Sequence, residues 1–147
     1  MMTTERLRAA IDKWKGARLV MKSEDLEFKT RETGTTAQVV NANLGFPNSQ
    51  LSSFIREIPP GWKSGNHTHN FEAIIRILEG KGYSMVDGDK HEWKADDVIT
   101  IPPMAAHQHF NTDQNQRVRF FAVITSPLMQ NLGALNGEAL GNAGPIE

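Results

Sequence analysis

Residues Gly61–Glu72 read GWKSGNHTHNFE. Two histidines, His67 and His69, stand two apart behind a glycine-rich turn. Residues i and i+2 of a strand face the same side, so both imidazoles aim into one space. A second pair, His107 and His109, follows 40 residues on and also lies next to a turn. Imidazole binds divalent iron, manganese, nickel, copper or zinc. The chain has no cysteine, so only nitrogen and oxygen ligands are on offer. Three imidazoles meeting at one point would leave coordination positions open for a substrate or oxygen. The fifth histidine, His91, lies outside both pairs and reads as a solvent-facing strand residue.

The surroundings of these pairs read as β-structure. Short apolar runs such as AIIRILEG, GYSMVDGD and VRFFAVIT are separated by Pro59-Pro60-Gly61, Gly80-Lys81-Gly82 and Pro102-Pro103. Many short strands at regular spacing predict an all-β sandwich or barrel. Asp87-Gly88 between two β-prone runs marks a tight hairpin. Ahead of the strands, Leu7, Ala10, Ile11 and Trp14 fall at helical spacing behind Thr3 and Thr4. This predicts a helix over 3–15, stopped at Gly16. The expected organisation is an N-terminal helix in 1–16, a barrel in 17–128 and a tail in 129–147. That tail is rich in Gly, Asn and Ala and is expected to be flexible unless it docks on a neighbour.

The chain has 147 residues, which suits one domain with its own core. Its net charge of −1 gives no electrostatic reason for a nucleic-acid or anionic-membrane partner. No apolar run approaches the ~20 residues needed to span a bilayer. The charged start lacks a secretory apolar region. The expected location is the cytoplasm. Exposed sheet edges in a small barrel need cover, and this predicts a homo-oligomer, a dimer first.

The two histidine segments resemble the paired motifs of cupins. The first cupin motif, G-x5-H-x-H-x3,4-E-x6-G, is met by Gly61, His67, His69 and Gly80. The second, G-x5-P-x-G-x2-H-x3-N, is met by Pro102, His107 and Asn111, with Asp96 and Met104 in place of its glycines. The resemblance implies a small cupin β-barrel, a jelly roll or double-stranded β-helix. The motif's glutamate falls at Ala73 or Ile74, with Glu72 one residue early. Regular strand parity puts Glu72 on the face opposite His69, while a loop or bulge would reverse that.

With alanine at that place, an E-G-x-G turn (Glu79–Gly82), a VDG hairpin (Val86–Gly88) and P-x4-H-x-H-x-N from Pro102 to Asn111, the chain looks like the gentisate 1,2-dioxygenase and 1-hydroxy-2-naphthoate dioxygenase branch. The resemblance implies His67, His69 and His107 as ligands of a divalent metal, with Fe(II) first and Mn, Ni or Zn as alternatives. His109 would be a contact near the metal. It implies a non-haem dioxygenase cleaving a small hydroxylated aromatic or related carbonyl compound. The competing readings are a metal-dependent isomerase, lyase or cyclase without oxygen chemistry, and a small-molecule-binding cupin without catalysis.

The imidazoles need hydrogen-bond partners on their other nitrogens, and Gln108 and Asn111 are the sequence candidates. An anionic substrate also wants a cation. Arg56 is the candidate contact, whereas Arg76 falls at the parity opposite to the histidines and is expected outside the barrel. Trp62, Phe71 and Phe110 are candidate pocket walls, and Met85 and Met104 candidate fillers.

Overall fold

A computed structural model of the chain describes residues 3–12, 14–31 and 34–147. Helix α1 spans Thr4–Asp12, and Arg6 N donates to Thr3 Oγ1 at 3.4 Å. The expected helix ran on to Lys15, but Trp14–Gly16 form a turn with a left-handed φ of 80° at Gly16. Of the expected apolar stripe, Ile11 and Trp14 are exposed. The side chains of Leu7 and Ala10 lie outside the described residues.

The strands follow in order. They are β1 (Lys29–Arg31), β2 (Gly34–Val40), β3 (Ser52–Ile58), β4 (Trp62–Lys63), β5 (Asn66–His69) and β6 (Ala73–Glu79). Then come β7 (Lys81–Val86), β8 (Asp89–Lys94), β9 (Val98–Ile101), β10 (His107–Phe110) and β11 (Val118–Ile124). A short helix, α2 (Ser126–Asn131), precedes β12 (Gly137–Gly141) and β13 (Gly144–Pro145). Among the described residues one sheet runs β1-β2-β3-β11-β6-β9. The other runs β12-β5-β10-β4-β13, with β7 and β8 attached through β10. The pairings are antiparallel. Two such sheets packed face to face make the jelly-roll barrel expected from the strand pattern.

Alternation sorts the side chains. On β6, Ala73, Ile75 and Ile77 are buried while Ile74, Arg76 and Leu78 are exposed. Arg76 bonds Asp96 outside the barrel at 2.8 Å, as its parity required. On β11, Val118, Phe120 and Ala122 face in. They join Ile58, Trp93, Ile101 and Ala105 in one core cluster. Each large apolar side chain buried here stabilises the fold by about 1.5–3 kcal/mol. The small interior residues Ala73 and Ala122 stand opposite the histidine strands, and they leave a hollow there instead of a filled core.

The turns explain how the motif survives without two of its glycines. Asp87 and Gly88 take φ of 49° and 92° in the hairpin between β7 and β8, the signature of a primed turn. Asp96 and Met104 also take left-handed φ, 74° and 67°. The backbone keeps the turn that glycine would make, at a cost of about 1–2 kcal/mol for each residue with a Cβ. Backbone bonds hold both places: Asp96 N donates to Ile77 O at 2.9 Å and Met104 N to His69 O.

Residues 129–147, expected as a tail, supply β12 and β13. Gly, Asn and Ala dominate the segment, and the five residues of β12, GEALG, carry no strand signal of their own. Strand β12 pairs with β5, with Gly137 opposite His69 and Ala139 opposite His67. Asn70 fastens the join: its Nδ2 donates to Ala134 O at 2.6 Å, and its Oδ1 accepts from Asn136 N at 3.0 Å. Gly137 has a steric reason to be glycine, because a Cβ there would lie 2.6 Å from Thr68 O.

Candidate metal centre

His107 on β10 sits directly across from His67 on β5, and His69 follows two residues along β5 on the same face. Their ring centroids lie 4.2 Å (His67–His107), 4.6 Å (His69–His107) and 5.6 Å (His67–His69) apart. One ligand nitrogen from each lies within 4.8 Å of the others. Two separate strand pairs, each obeying the period of two, thus bring three imidazoles to one point.

The second nitrogens are held locally. His67 Nδ1 lies 3.1 Å from Gly65 O, His69 Nδ1 2.7 Å from Phe71 O, and His107 Nδ1 2.9 Å from Ala105 O. A carbonyl can only accept, so each Nδ1 carries the proton and each Nε2 keeps its lone pair. Burial lowers the pKa of all three, carrying that of His107 down to about 4. The carbonyl bonds oppose this in each case, and neighbouring positive groups add to it. The imidazoles are therefore neutral at neutral pH and a cation need displace no proton from them. Nitrogen donors of this kind, without thiolate, fit divalent iron, manganese, nickel or zinc.

The cavity before these rings measures about 200 Å³. Phe54, Arg56, Phe71, Ile75, Phe120 and Ile124 supply most of its remaining wall. Phe71 stacks on His69 with centroids 3.8 Å apart. His109 lines the same cavity, and burial pushes its pKa well below the usual range. Arg56 is half-buried, and desolvation draws its guanidinium below the ordinary value. It also lines an outer hollow of about 470 Å³. That hollow shares Phe54, Arg56 and Ile124 with the inner cavity, so Arg56 stands where the two meet.

Other expected contacts sit elsewhere. Gln108 alternates to the outer side of β10 and donates from Nε2 to Ser64 O at 2.7 Å. It does not line the cavity. Asn111 is fully buried, but its Nδ2 ties together Ile58 O, Pro59 O and Gln116 O, with no imidazole among its partners. Backbone carbonyls orient the three imidazoles instead. Phe110 stacks on Tyr83, away from the cavity. Trp62 and Met104 are exposed, and none of Trp62, Met85 and Met104 lines the cavity. His91 is exposed on β8, as expected. Phe54, Ser84 and Trp93 were missed; their only sequence signal is inward parity on strands whose register the sequence does not display.

Glu72 lies in the bend between β5 and β6, exposed, with its N–H on Thr125 Oγ1. Ala73 takes the inward place. Glu72→Gln is expected to leave metal stoichiometry unchanged on elemental analysis. Loss of metal in that variant would put a carboxylate back among the ligands.

Comparison with known proteins agrees with this geometry. Residues 54–124 match the cupin domain family. A 5-aminosalicylate 1,2-dioxygenase of Comamonas sp is 28% identical over 103 residues, covering 70% of this chain and 27% of that protein. A 5-nitrosalicylic acid 1,2-dioxygenase of Bradyrhizobium sp is 29% identical over 104 residues, covering 65% and 50%. The chain thus spans between about a quarter and half the length of these relatives. Among solved structures, salicylate 1,2-dioxygenase from Pseudoaminobacter salicylatoxidans superposes with a TM-score of 0.67 at 14% identity, covering 95% of this chain and 37% of that one. The polyketide cyclase RemF from Streptomyces resistomycificus gives 0.63 at 19%, covering 73% and 78%. Both likenesses are of fold.

Proposed function

From the premise that this chain carries a cupin domain, we propose that it is a non-haem dioxygenase that uses Fe(II) to open the ring of a small hydroxylated aromatic acid. The observation that carries this reading is the ligand set: three neutral imidazoles with bare Nε2 atoms and, among the described residues, no carboxylate. Three neutral ligands leave a divalent ion its full charge, so a bidentate anion is the natural partner. The ion, when bound, supplies the electronic coupling between a chelating aromatic and dioxygen. The relatives named for 5-aminosalicylate and 5-nitrosalicylic acid point to the same substrate class.

The chain's own residues do the rest. A cavity of about 200 Å³ is below the roughly 300–1,000 Å³ usual for drug-sized ligands, so it suits a single ring. Phe54, Phe71 and Phe120 supply apolar walls for a flat face and keep water out. Arg56 supplies a positive charge in a poorly solvated place, where a carboxylate can pair with it in a forked geometry. His109 stands beside the ligand His107, with ring centroids 5.7 Å apart, within reach of the substrate's oxygens. Gln108 enters only indirectly, by bracing the backbone of Ser64 between β4 and β5 against β10.

Arg56→Met is expected to raise KM for a hydroxybenzoate by roughly 100-fold, the size expected for removing one partner of a desolvated charge pair. Metal content should stay at the wild-type level. An unchanged KM would remove Arg56 from substrate binding. The reading as a whole is tested by loading the protein anaerobically with Fe(II) and following oxygen uptake with salicylate, gentisate and 5-aminosalicylate. One oxygen consumed per ring opened supports it. No uptake with any hydroxybenzoate, in protein that holds a full equivalent of iron, overturns it in favour of chemistry without oxygen.

The proposal takes the protein as a cytoplasmic homodimer. The absence of cysteine supports the location. Ile74, Leu78 and Val98, exposed together on the outer face of β6 and β9, support an apolar contact with a second copy.

A further inference from the structure

Four histidines line one cavity, but their hydrogen bonds divide them into two kinds. His67, His69 and His107 each turn Nδ1 to a backbone carbonyl. His109 turns Nδ1 to a hydroxyl instead, Ser84 Oγ, at 2.7 Å. A carbonyl dictates where the ring proton sits. A hydroxyl does so only if its own proton is committed.

Here it is committed. Ser84 is fully buried, and its Oγ already accepts the indole N–H of Trp93 at 2.8 Å. The hydroxyl has one proton to place. Among the described residues, the acceptor it reaches is His109 Nδ1. Were the imidazole proton on Nδ1, two N–H groups would point at Ser84 Oγ and the hydroxyl proton would be left unmet in a dry site, which folded proteins avoid. A neutral His109 carries one ring proton, so it sits on Nε2. Among the described residues no protein group takes that Nε2–H, and His109 lines the cavity.

We propose that Ser84 and Trp93 are positioning residues that hold His109 as the Nε2–H tautomer, making it a hydrogen-bond donor to an oxygen of the substrate and barring it from acting as a fourth metal ligand. The part concerning substrate rests on the dioxygenase reading; the tautomer does not. The arrangement also gives a reason why the second H-x-H pair contributes one ligand and not two. Both rings of the pair point inward, yet only His107 has a bare Nε2 to offer.

The test is a long-range proton–nitrogen correlation spectrum of ¹⁵N-labelled, metal-free protein, in which the two neutral imidazole tautomers give different patterns. His109→Gln identifies the His109 signals by their loss, and His91 is separable as the exposed ring. The expected result is Nδ1–H for His67, His69 and His107, and Nε2–H for His109. An Nδ1–H ring at His109 overturns the proposal whatever the enzyme's activity. Ser84→Ala should release the ring to Nδ1–H or a mixture, and Ser84→Thr, which keeps the hydroxyl, should restore Nε2–H. A Ser84→Ala protein still wholly Nε2–H would remove Ser84 and Trp93 from the role.

In the iron-loaded enzyme, Ser84→Ala should lower kcat/KM by roughly 10–100-fold, the usual scale for a residue behind an active-site group, with metal stoichiometry unchanged. If Ser84→Ala fails to fold, the wild-type spectrum alone decides. If the tautomers are as stated and no hydroxybenzoate is oxidised, the dioxygenase reading fails and the tautomer assignment stands.

Discussion

His107→Ala is expected to leave the protein folded and without tightly held metal. The affinity should fall by more than about 100-fold, because even contacts behind metal ligands are commonly worth 10–100-fold. His107 has the largest effect because it is central. Its ring lies 4.2 and 4.6 Å from the other two, which are 5.6 Å from each other. It is also the ligand contributed by a second strand, directly opposite His67. Removing it leaves two imidazoles on one strand, a chelate with no third arm. The fold should hold, because His107 is outside the apolar cluster that closes the barrel. Elemental analysis of variant and wild type purified side by side checks the metal, and circular dichroism checks the fold. A full equivalent retained by the variant would overturn the ligand set.

Gly82→Ala is expected to have the largest effect on stability. A Cβ at Gly82 would stand 2.0 Å from Phe110 O and 2.7 Å from Trp93 Cη2. The first of these is backbone in a paired strand, where β7 and β10 run side by side from Tyr83–Phe110 to Val86–His107, and it cannot swing away. Trp93 is buried and held through its N–H on Ser84. The strands must therefore part, and losses above about 4 kcal/mol belong to this kind of disruption. Gly88→Ala is the control. Gly88 has a positive φ of 92° but nothing within 4 Å of its missing Cβ, so only the left-handed cost of about 1–2 kcal/mol applies. Urea denaturation of the two variants should rank them clearly; equal midpoints would mean that β7 and β10 can yield locally.

How much of this was legible in the chain depended on the range of the interaction. The convergence of His67 and His69 follows from strand period alone, as does the outward turn of Arg76. The exclusion of Glu72 came through a bend instead of the regular strand that parity assumed, yet the inward residue is Ala73 either way. The partners of the imidazoles were not legible. Asn111 and Gln108 were reasonable acceptors nearby in sequence, but carbonyls two residues from each of the three imidazoles reach its Nδ1 first. Ser84 and Trp93 meet His109 only through the register of β7 against β8 and β10. Period-two patterning says which face a residue takes and nothing about which residue lies opposite. The docking of β12 was hidden for a different reason: its sequence, GEALG, has no β-prone residues, and its place comes from backbone pairing with β5 and the amide contacts of Asn70.

That late strand bears on the order in which the protein comes into being. The edge of β5 that carries His67 and His69 has its backbone partners in residues 137–141, some seventy positions downstream, and its other neighbour is β10. Contacts so distant along the chain are costly in loop entropy and tend to form late. On the ribosome, His67 and His69 of β5 emerge long before either flanking strand exists. Until then they are a loose two-armed lure for any passing cation. A divalent cation supplied to the finished fold meets a complete three-armed cradle, whereas one met during synthesis meets two of its three arms. The three-histidine arrangement is therefore complete only once β10 has joined β5.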